Sequence, residues 1–301
     1  MKEKEFIQTI QSVLKSEYIG DDCAFLKDLS IVVTQDSLVE DVHFKMDFTT
    51  PYKLGWKSAM VNISDVCASG AKPVYLTAAL SLPKSISNKF VEECYKGMKD
   101  ACGEVKIVGG DITGSDKIFI SITAIGSTVS RNISSRKNAK IGQKIVVSGI
   151  HGSSAAGLCE LLKGKQNSKF IEKHLMPRAK IEFSEKISMT EQNAYAMMDT
   201  SDGLMDALSQ IAEASGVMAE VDFSKIPYDK DIEQFENYKE LILYGGEDYE
   251  LVATVDNPMG FVVIGEIKAG SGVVINYPQE SVHYSKSDIE NRLYNHFKEK
   301  M

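Results

Sequence analysis

The chain has 301 residues, 43% of them apolar and 25% charged, the composition of a globular protein with material for two modest domains. Its 34 Lys and Arg against 42 Asp and Glu leave a formal charge of −8, which argues against partnership with nucleic acid or an anionic membrane, since both need clustered basic side chains. A phosphate-bearing ligand would have to bring cations with it. The five cysteines, Cys23, Cys67, Cys94, Cys102 and Cys159, form no C-x-x-C pair and read as free thiols. The first residues lack the apolar core of a signal peptide, and no stretch approaches the length of a membrane span, so a cytoplasmic location is expected.

In chain order, Phe6, Ile10, Val13 and Leu14 recur at helical spacing and predict a helix over residues 3–16 that breaks at Gly20. Strand-type runs follow at 31–34, 74–82, 105–108 and 117–123. A helix lies between the second and third of these; Ser85 or Ser87 caps it and Gly103 ends it. Trp56 falls among Leu54 and Met60 at helical spacing and reads as core. The chain turns polar and basic over 130–143, where a boundary is expected between domains 1–136 and 137–301. The second half predicts helices at 153–162, 178–187, 203–215 and 287–298. Its strands are expected at 194–198, 217–221, 249–255, 261–264 and 273–277, with a mobile loop over 164–173. The order is mixed, so the fold class is α/β.

The chemistry lies in the carboxylates. Asp21 and Asp22 follow Gly20, Asp36 and Asp65 end apolar runs, and Asp111 follows Gly109-Gly110. Asp199 and Asp202 bracket Thr200-Ser201, and Glu247-Asp248 follow Gly245-Gly246. Any one could be a turn or cap residue, and Asp202 before Gly203-Leu204 has the sequence of an N-cap. Capping does not account for the set. Convergent carboxylates would repel one another, and hard divalent cations such as Mg²⁺ would neutralise them while also taking substrate phosphates. The P-loop, Rossmann, protein-kinase, zinc and G-x-S-x-G signatures are absent. The glycines of Gly149-Ile150-His151-Gly152 read as the geometry of a strand-to-helix turn.

Several segments together resemble the thiamine-monophosphate kinase family of the aminoimidazole-ribonucleotide synthetase-like superfamily. They are Gly20-Asp21-Asp22-Cys23-Ala24, Asp36-Ser37-Leu38-Val39, Trp56-Lys57-Ser58-Ala59-Met60-Val61-Asn62-Ile63-Ser64-Asp65, Gly109-Gly110-Asp111, Arg136-Lys137-Asn138, Asp199-Thr200-Ser201-Asp202-Gly203 and Gly245-Gly246-Glu247-Asp248. The motifs run in the family's order from Gly20 to Leu251. The resemblance implies two α/β domains, with the first pairing into a β-barrel in a homodimer. It also implies the reaction ATP + thiamine phosphate to ADP + thiamine diphosphate. It makes Asp22, Thr34, Gln35, Asp36, Asp65, Asp111, Asp199 and Asp202 candidate ligands for several Mg²⁺ ions, with Asp65, Asp111 and Asp202 catalytic. Gly110, Asp111, Arg136, Ser201 and Tyr95 would contact ATP, and His43 and Glu247 would meet thiamine phosphate.

Gln35 stands where the family carries Thr or Ser. In an extended strand it faces away from Thr34 and Asp36, so a backbone carbonyl contribution, or none, is expected of it. Phosphoryl transfer by direct in-line displacement, without a phosphoenzyme, follows from the lack of an activated nucleophile. The alternatives are another ATP-using member of the superfamily, such as the purine cyclo-ligase or selenophosphate synthetase, or a noncatalytic nucleotide or divalent-ion sensor. The sequence holds no EF-hand loop to support a sensor, and no reactive Cys in a glycine-rich N-terminal stretch of the selenophosphate synthetase kind.

Overall fold

The computed structural model describes residues 3–294. The chain opens with α1 (Glu3–Leu14), whose apolar stripe is exposed. A hairpin of β1 (Ala24–Leu26) and β2 (Ile31–Val39) leads to α2 (Pro51–Ala68). That helix starts with Pro51 behind Thr50, whose hydroxyl accepts the Lys53 N–H. β3 (Lys72–Leu82) and β4 (Lys106–Gly114) run parallel, which demands a crossover, and α3 (Asn88–Cys102) supplies it. Ser87 caps α3 and Gly103 ends it. β5 (Phe119–Ser127) then inserts between β2 and β3, giving the order β1-β2-β5-β3-β4.

α2 and α3 pack closely over this sheet because glycines meet backbone where they cross. A Cβ on Gly55 would stand 1.9 Å from the Cys94 carbonyl oxygen, and one on Gly97 1.9 Å from that of Tyr52. Strand β5 alternates strictly: Ile120, Ile122 and Ala124 are buried in the core shared with α2, while Ser121 and Thr123 point to the outer face.

The second half contributes β6 (Lys144–Val147), α4 (Ser153–Leu162), α5 (Lys169–Leu175), α6 (Ile181–Thr190), β7 (Met197–Asp199), α7 (Leu204–Ser215) and β8 (Met218–Asp222). It ends with α8 (Tyr238–Tyr244), β9 (Leu251–Val255), β10 (Val262–Lys268), β11 (Gly272–Asn276), β12 (Ser281–Tyr284) and α9 (Lys286–Glu290). These strands order as β12-β11-β8-β10-β6-β9-β7, and β8 and β11 are the parallel neighbours. β9 is buried along its whole length. Its Leu251, Ala253 and Val255 join the core of the first half, while Val252 joins the core beneath α4, α7 and α8. One sheet therefore serves two cores, and the halves are packed together rather than tethered.

Several expectations are corrected. The stretch expected as a loop over 164–173 contains α5, capped by Ser168 and anchored by buried Phe170, Ile171 and Leu175; seven residues are too few to print a period. The helix expected at 178–187 begins at Ile181, because Arg178 and Lys180 are engaged with Trp56 and Glu250. The strand expected at 194–198 shrinks to Met197–Asp199. Side chains take part of its backbone bonding: Gln143 donates to the Ala194 carbonyl, and the Thr254 hydroxyl accepts the Ala196 N–H. Asp202 is not the cap of α7; Gly203 holds that position, without a side-chain cap. Of the helix expected at 287–298, Lys286–Glu290 is formed, and the part from residue 295 lies outside the described residues. The five cysteines are free, four of them buried.

Candidate active site

Asp22 follows the first turn, Asp65 lies in the last turn of α2 and Asp199 ends β7, yet the fold brings one oxygen of each within 4.8 Å of the others. Each is fixed by neighbours. Thr34 of β2 donates to Asp65 at 2.7 Å, Ser64 of α2 donates to Asp199 at 2.6 Å, and Arg136 pairs with Asp22 at 2.8 Å. Burial and repulsion from nearby aspartates raise all three. Asp65 is pushed well above the ordinary carboxylate range by burial and by Asp36, Asp199 and Asp22, and Asp199 is pushed up to about 7 by burial and Asp22. Burial also raises Asp22, against the pull of Arg136.

Three carboxylates facing one guanidinium lack counter-charge, and an all-oxygen donor set suits a hard divalent cation such as Mg²⁺. Arg136 spends its two terminal nitrogens on Asp22 and on Gln210, while its Nε is buried without a partner, which fits an anionic ligand arriving beside the cluster.

A fourth carboxylate, Glu247, sits differently. It follows Gly245-Gly246 in a left-handed conformation, φ +65°, and its N–H donates to the Ser201 carbonyl at 2.7 Å. A Cβ on Gly246 would stand 2.6 Å from that same carbonyl oxygen, so the close approach requires glycine. Lys57 of α2 meets one Glu247 oxygen at 2.9 Å and His174 Nδ1 of α5 lies 3.3 Å from the other. Burial would raise Glu247, but Lys57, His174 and, less strongly, His43 outweigh it and hold the carboxyl below its usual range. Ser201 joins the two regions, since its N–H also points at Asp199 from 3.4 Å.

The remaining candidates divide. Asp36 shares the α2-facing side of β2 with Thr34, donates its N–H to Asn62 Oδ1 at 2.9 Å, and helps raise Asp65 and Asp199. Gln35 turns its amide to the outer face, bonded to Ser121 and Thr123 at 3.1 Å each, so its side chain is directed away from the cluster. His43 accepts the Val39 N–H through Nδ1, in the turn after β2. Tyr95 is half-buried against the first core, and Asp202 is exposed beside Gly203.

Gly110 and Asp111 are not brought to the cluster within one chain. β4 is the edge strand, three neighbours from β2, a separation of about 14 Å at ordinary strand spacing. Asp111 also aligns with Ala79, Ser121 and Ser37, and so shares the outer face with Gln35.

Sequence reasoning assigned no role to Lys57, Ser64, Asn62 or His174. A lysine between Trp56 and the apolar run from Ala59 is the one available signal, because an ammonium on a buried helix face calls for a partner. His174 gave none, lying next to the stretch read as a loop.

Residues 20–128 match the family described as AIR synthase related protein, N-terminal domain, and residues 140–278 match its C-terminal domain. Thiamine-monophosphate kinase of Aquifex aeolicus is 36% identical, with 90% of this chain and 92% of that protein covered. The protein of the same name from Bacillus subtilis is 34% identical, with 93% of each covered. Among solved structures, AaThiL complexed with AMPPCP and TMP superposes with a TM-score of 0.87 at 34% identity, covering 98% of this chain and 97% of that one.

Proposed function

The chain belongs to the thiamine-monophosphate kinase family, within the AIR synthase related proteins, and we propose that it transfers the terminal phosphoryl group of ATP to thiamine phosphate, yielding ADP and thiamine diphosphate. The observation that carries this reading is the pairing of the Asp22, Asp65 and Asp199 cluster, short of positive charge, with a separately neutralised Glu247, the two linked through Ser201. The related structure complexed with AMPPCP and TMP supports two ligands of this kind.

Asp22, Asp65 and Asp199, with Thr34 and Asp36 beside them, would hold Mg²⁺, and Asp202 stands near enough in sequence to serve a further ion. Bound there, the ions supply positive charge against which a triphosphate can approach the carboxylates. The chain's own residues position the reactants. Arg136, anchored on Asp22 and Gln210, offers its unpaired Nε to the nucleotide, the Ser201 backbone ties the two regions together, and His43 and Glu247 face thiamine phosphate. Direct in-line transfer fits this set. Cys23 and Cys67 are buried thiols whose acidity burial suppresses, and neither serves as a nucleophile.

We also propose a homodimer built on residues 1–136, with 137–301 forming the second domain of each protomer. Edge strand β4 exposes Val108 and Ile112, 57% and 63% accessible, and an uncovered apolar edge is a pairing surface. A second copy docked there is the means by which Gly110, Asp111 and Tyr95 would join a site from which one chain's β4 is distant. The free cysteines suit a cytoplasmic enzyme, and among the described residues no helix is long and apolar enough to cross a membrane.

The test is ADP release from the purified chain. It is expected to require both thiamine phosphate and Mg²⁺ and to leave no label on the protein from ATP labelled at the γ-phosphate. Release of ADP without thiamine phosphate, or an isolable phosphoenzyme, would overturn the reading.

A further inference from the structure

Nothing in the Gly245-Gly246 turn holds the Glu247 carboxylate; its restraints come from other parts of the chain. Lys57 reaches it at 2.9 Å from α2, in the first half of the chain, and His174 stands 3.3 Å away on α5, in the second. Lys57 is 3% exposed. A buried ammonium is costly unless it meets a carboxylate in good geometry, so the pair is a fixed strut between the halves. His174 is kept neutral by burial and by Lys57, titrating near 4, and its Nδ1 also lies 3.0 Å from the Ser154 hydroxyl on α4. The imidazole, bonded to the Ser154 hydroxyl, therefore packs beside Glu247 as a neutral neighbour, and Lys57 gives the carboxylate its charge.

We infer that Lys57 is a positioning residue for the acceptor substrate, holding the Glu247 carboxylate in place to receive the cationic ring of thiamine phosphate. The inference rests on the reading of Glu247 as an acceptor contact. Two features favour action through Glu247 over direct contact with a phosphate. The ammonium is already bonded to the carboxylate and nearly shut off from solvent, whereas the Glu247 side chain keeps 26% of its surface open. Moreover, Lys57 lies eight residues before Asp65 on one helix, about 12 Å along its axis. α2 thus sets the spacing between the acceptor anchor and the cation cluster as a rigid element, which is what a transfer that depends on orientation requires.

The experiment is a double-mutant cycle of Lys57→Met and Glu247→Gln with steady-state kinetics in both substrates. Each single variant is expected to raise KM for thiamine phosphate by about tenfold or more, with kcat changed less and KM for ATP within about twofold. The double variant is expected to be no worse than the poorer single, because both changes remove one unit. Unchanged KM for thiamine phosphate in Lys57→Met, multiplied effects in the double variant, or an equal loss of ATP affinity would overturn the inference while leaving Glu247 in its role. No effect of Glu247→Gln would instead remove the reading of Glu247 itself. Lys57→Gln, which keeps a donor but loses the charge, is run under the same criteria should the methionine variant fail to fold.

Discussion

Two sets of carboxylates lie side by side in this molecule and answer withdrawal from solvent in opposite ways. Asp22, Asp65 and Asp199 are raised by burial and by neighbouring aspartates, whereas Glu247 is lowered because Lys57 and His174 stand against it. The difference lies in what the chain supplies. Glu247 brings its counter-charge on α2, while the cluster has Arg136 on Asp22 and nothing comparable on Asp65 or Asp199. Under the proposed function, the paired carboxylate is assigned to the acceptor substrate and the cluster left short of charge to metal ions.

The largest effect expected from disturbing this contrast is on Asp65. Asp65→Asn removes charge where Thr34 and two further aspartates converge, and a loss of kcat/KM on the order of 10³ is expected, read by steady-state kinetics at saturating Mg²⁺. Full recovery of turnover by added Mg²⁺ would mean that Asp65 merely binds an ion weakly. Next in size is a pH effect. The cluster holds a proton near neutrality that a cation must expel, so apparent Mg²⁺ affinity is expected to rise by about fivefold between pH 6 and 7 for a proton held near 7. Calorimetric titration in buffers of different ionisation enthalpy measures both the affinity and the proton count.

Metal-free stability follows the same groups. The folded value of Asp199 is raised from 3.8 to about 7, so its favourable contribution is complete below the unfolded value and is lost as pH rises through 7. Asp199→Asn is therefore expected to flatten the decline of metal-free stability between about pH 4 and 7 and to raise Tm at pH 8 by about 2–4 °C, measured by thermal melts in chelator. A variant less stable than the parent at pH 8 would show that the Ser64 and Ser201 hydrogen bonds to Asp199 outweigh repulsion. The smallest effect is expected at Gln35, whose amide is committed to Ser121 and Thr123; Gln35→Ala should change Mg²⁺ activation by less than about twofold.

The sequence revealed the cluster and concealed the strut, for physical reasons. Aspartates at the ends of apolar runs advertise themselves, because the fold must stop there and expose an edge. Asp65 was readable in this way, Asp22 from the Gly20 before it and Asp199 from the Asp202 that brackets it, and so were Ser87 and Gly103 as the ends of α3. The turning of Gln35 away from Thr34 and Asp36 followed from strand alternation alone. Lys57 and His174 needed tertiary structure: they are 117 positions apart (174 − 57), and neither residue type says where a partner will come from. The distance of Asp111 from β2 is likewise a matter of strand order, since a crossover can place β4 at either edge and Gly109-Gly110-Asp111 reads the same in both. The α5 helix was hidden by its brevity, and its burial comes from contacts with distant segments rather than from a local period.

The measurement that bears most directly on the contrast is anomalous diffraction from crystals grown with Mn²⁺ in place of Mg²⁺ and a nonhydrolysable ATP analogue. Manganese is expected between Asp22, Asp65 and Asp199, with none within coordinating distance of Glu247, whose carboxylate should remain on Lys57. Manganese at Glu247, or a cluster empty of metal with nucleotide bound, would contradict the account.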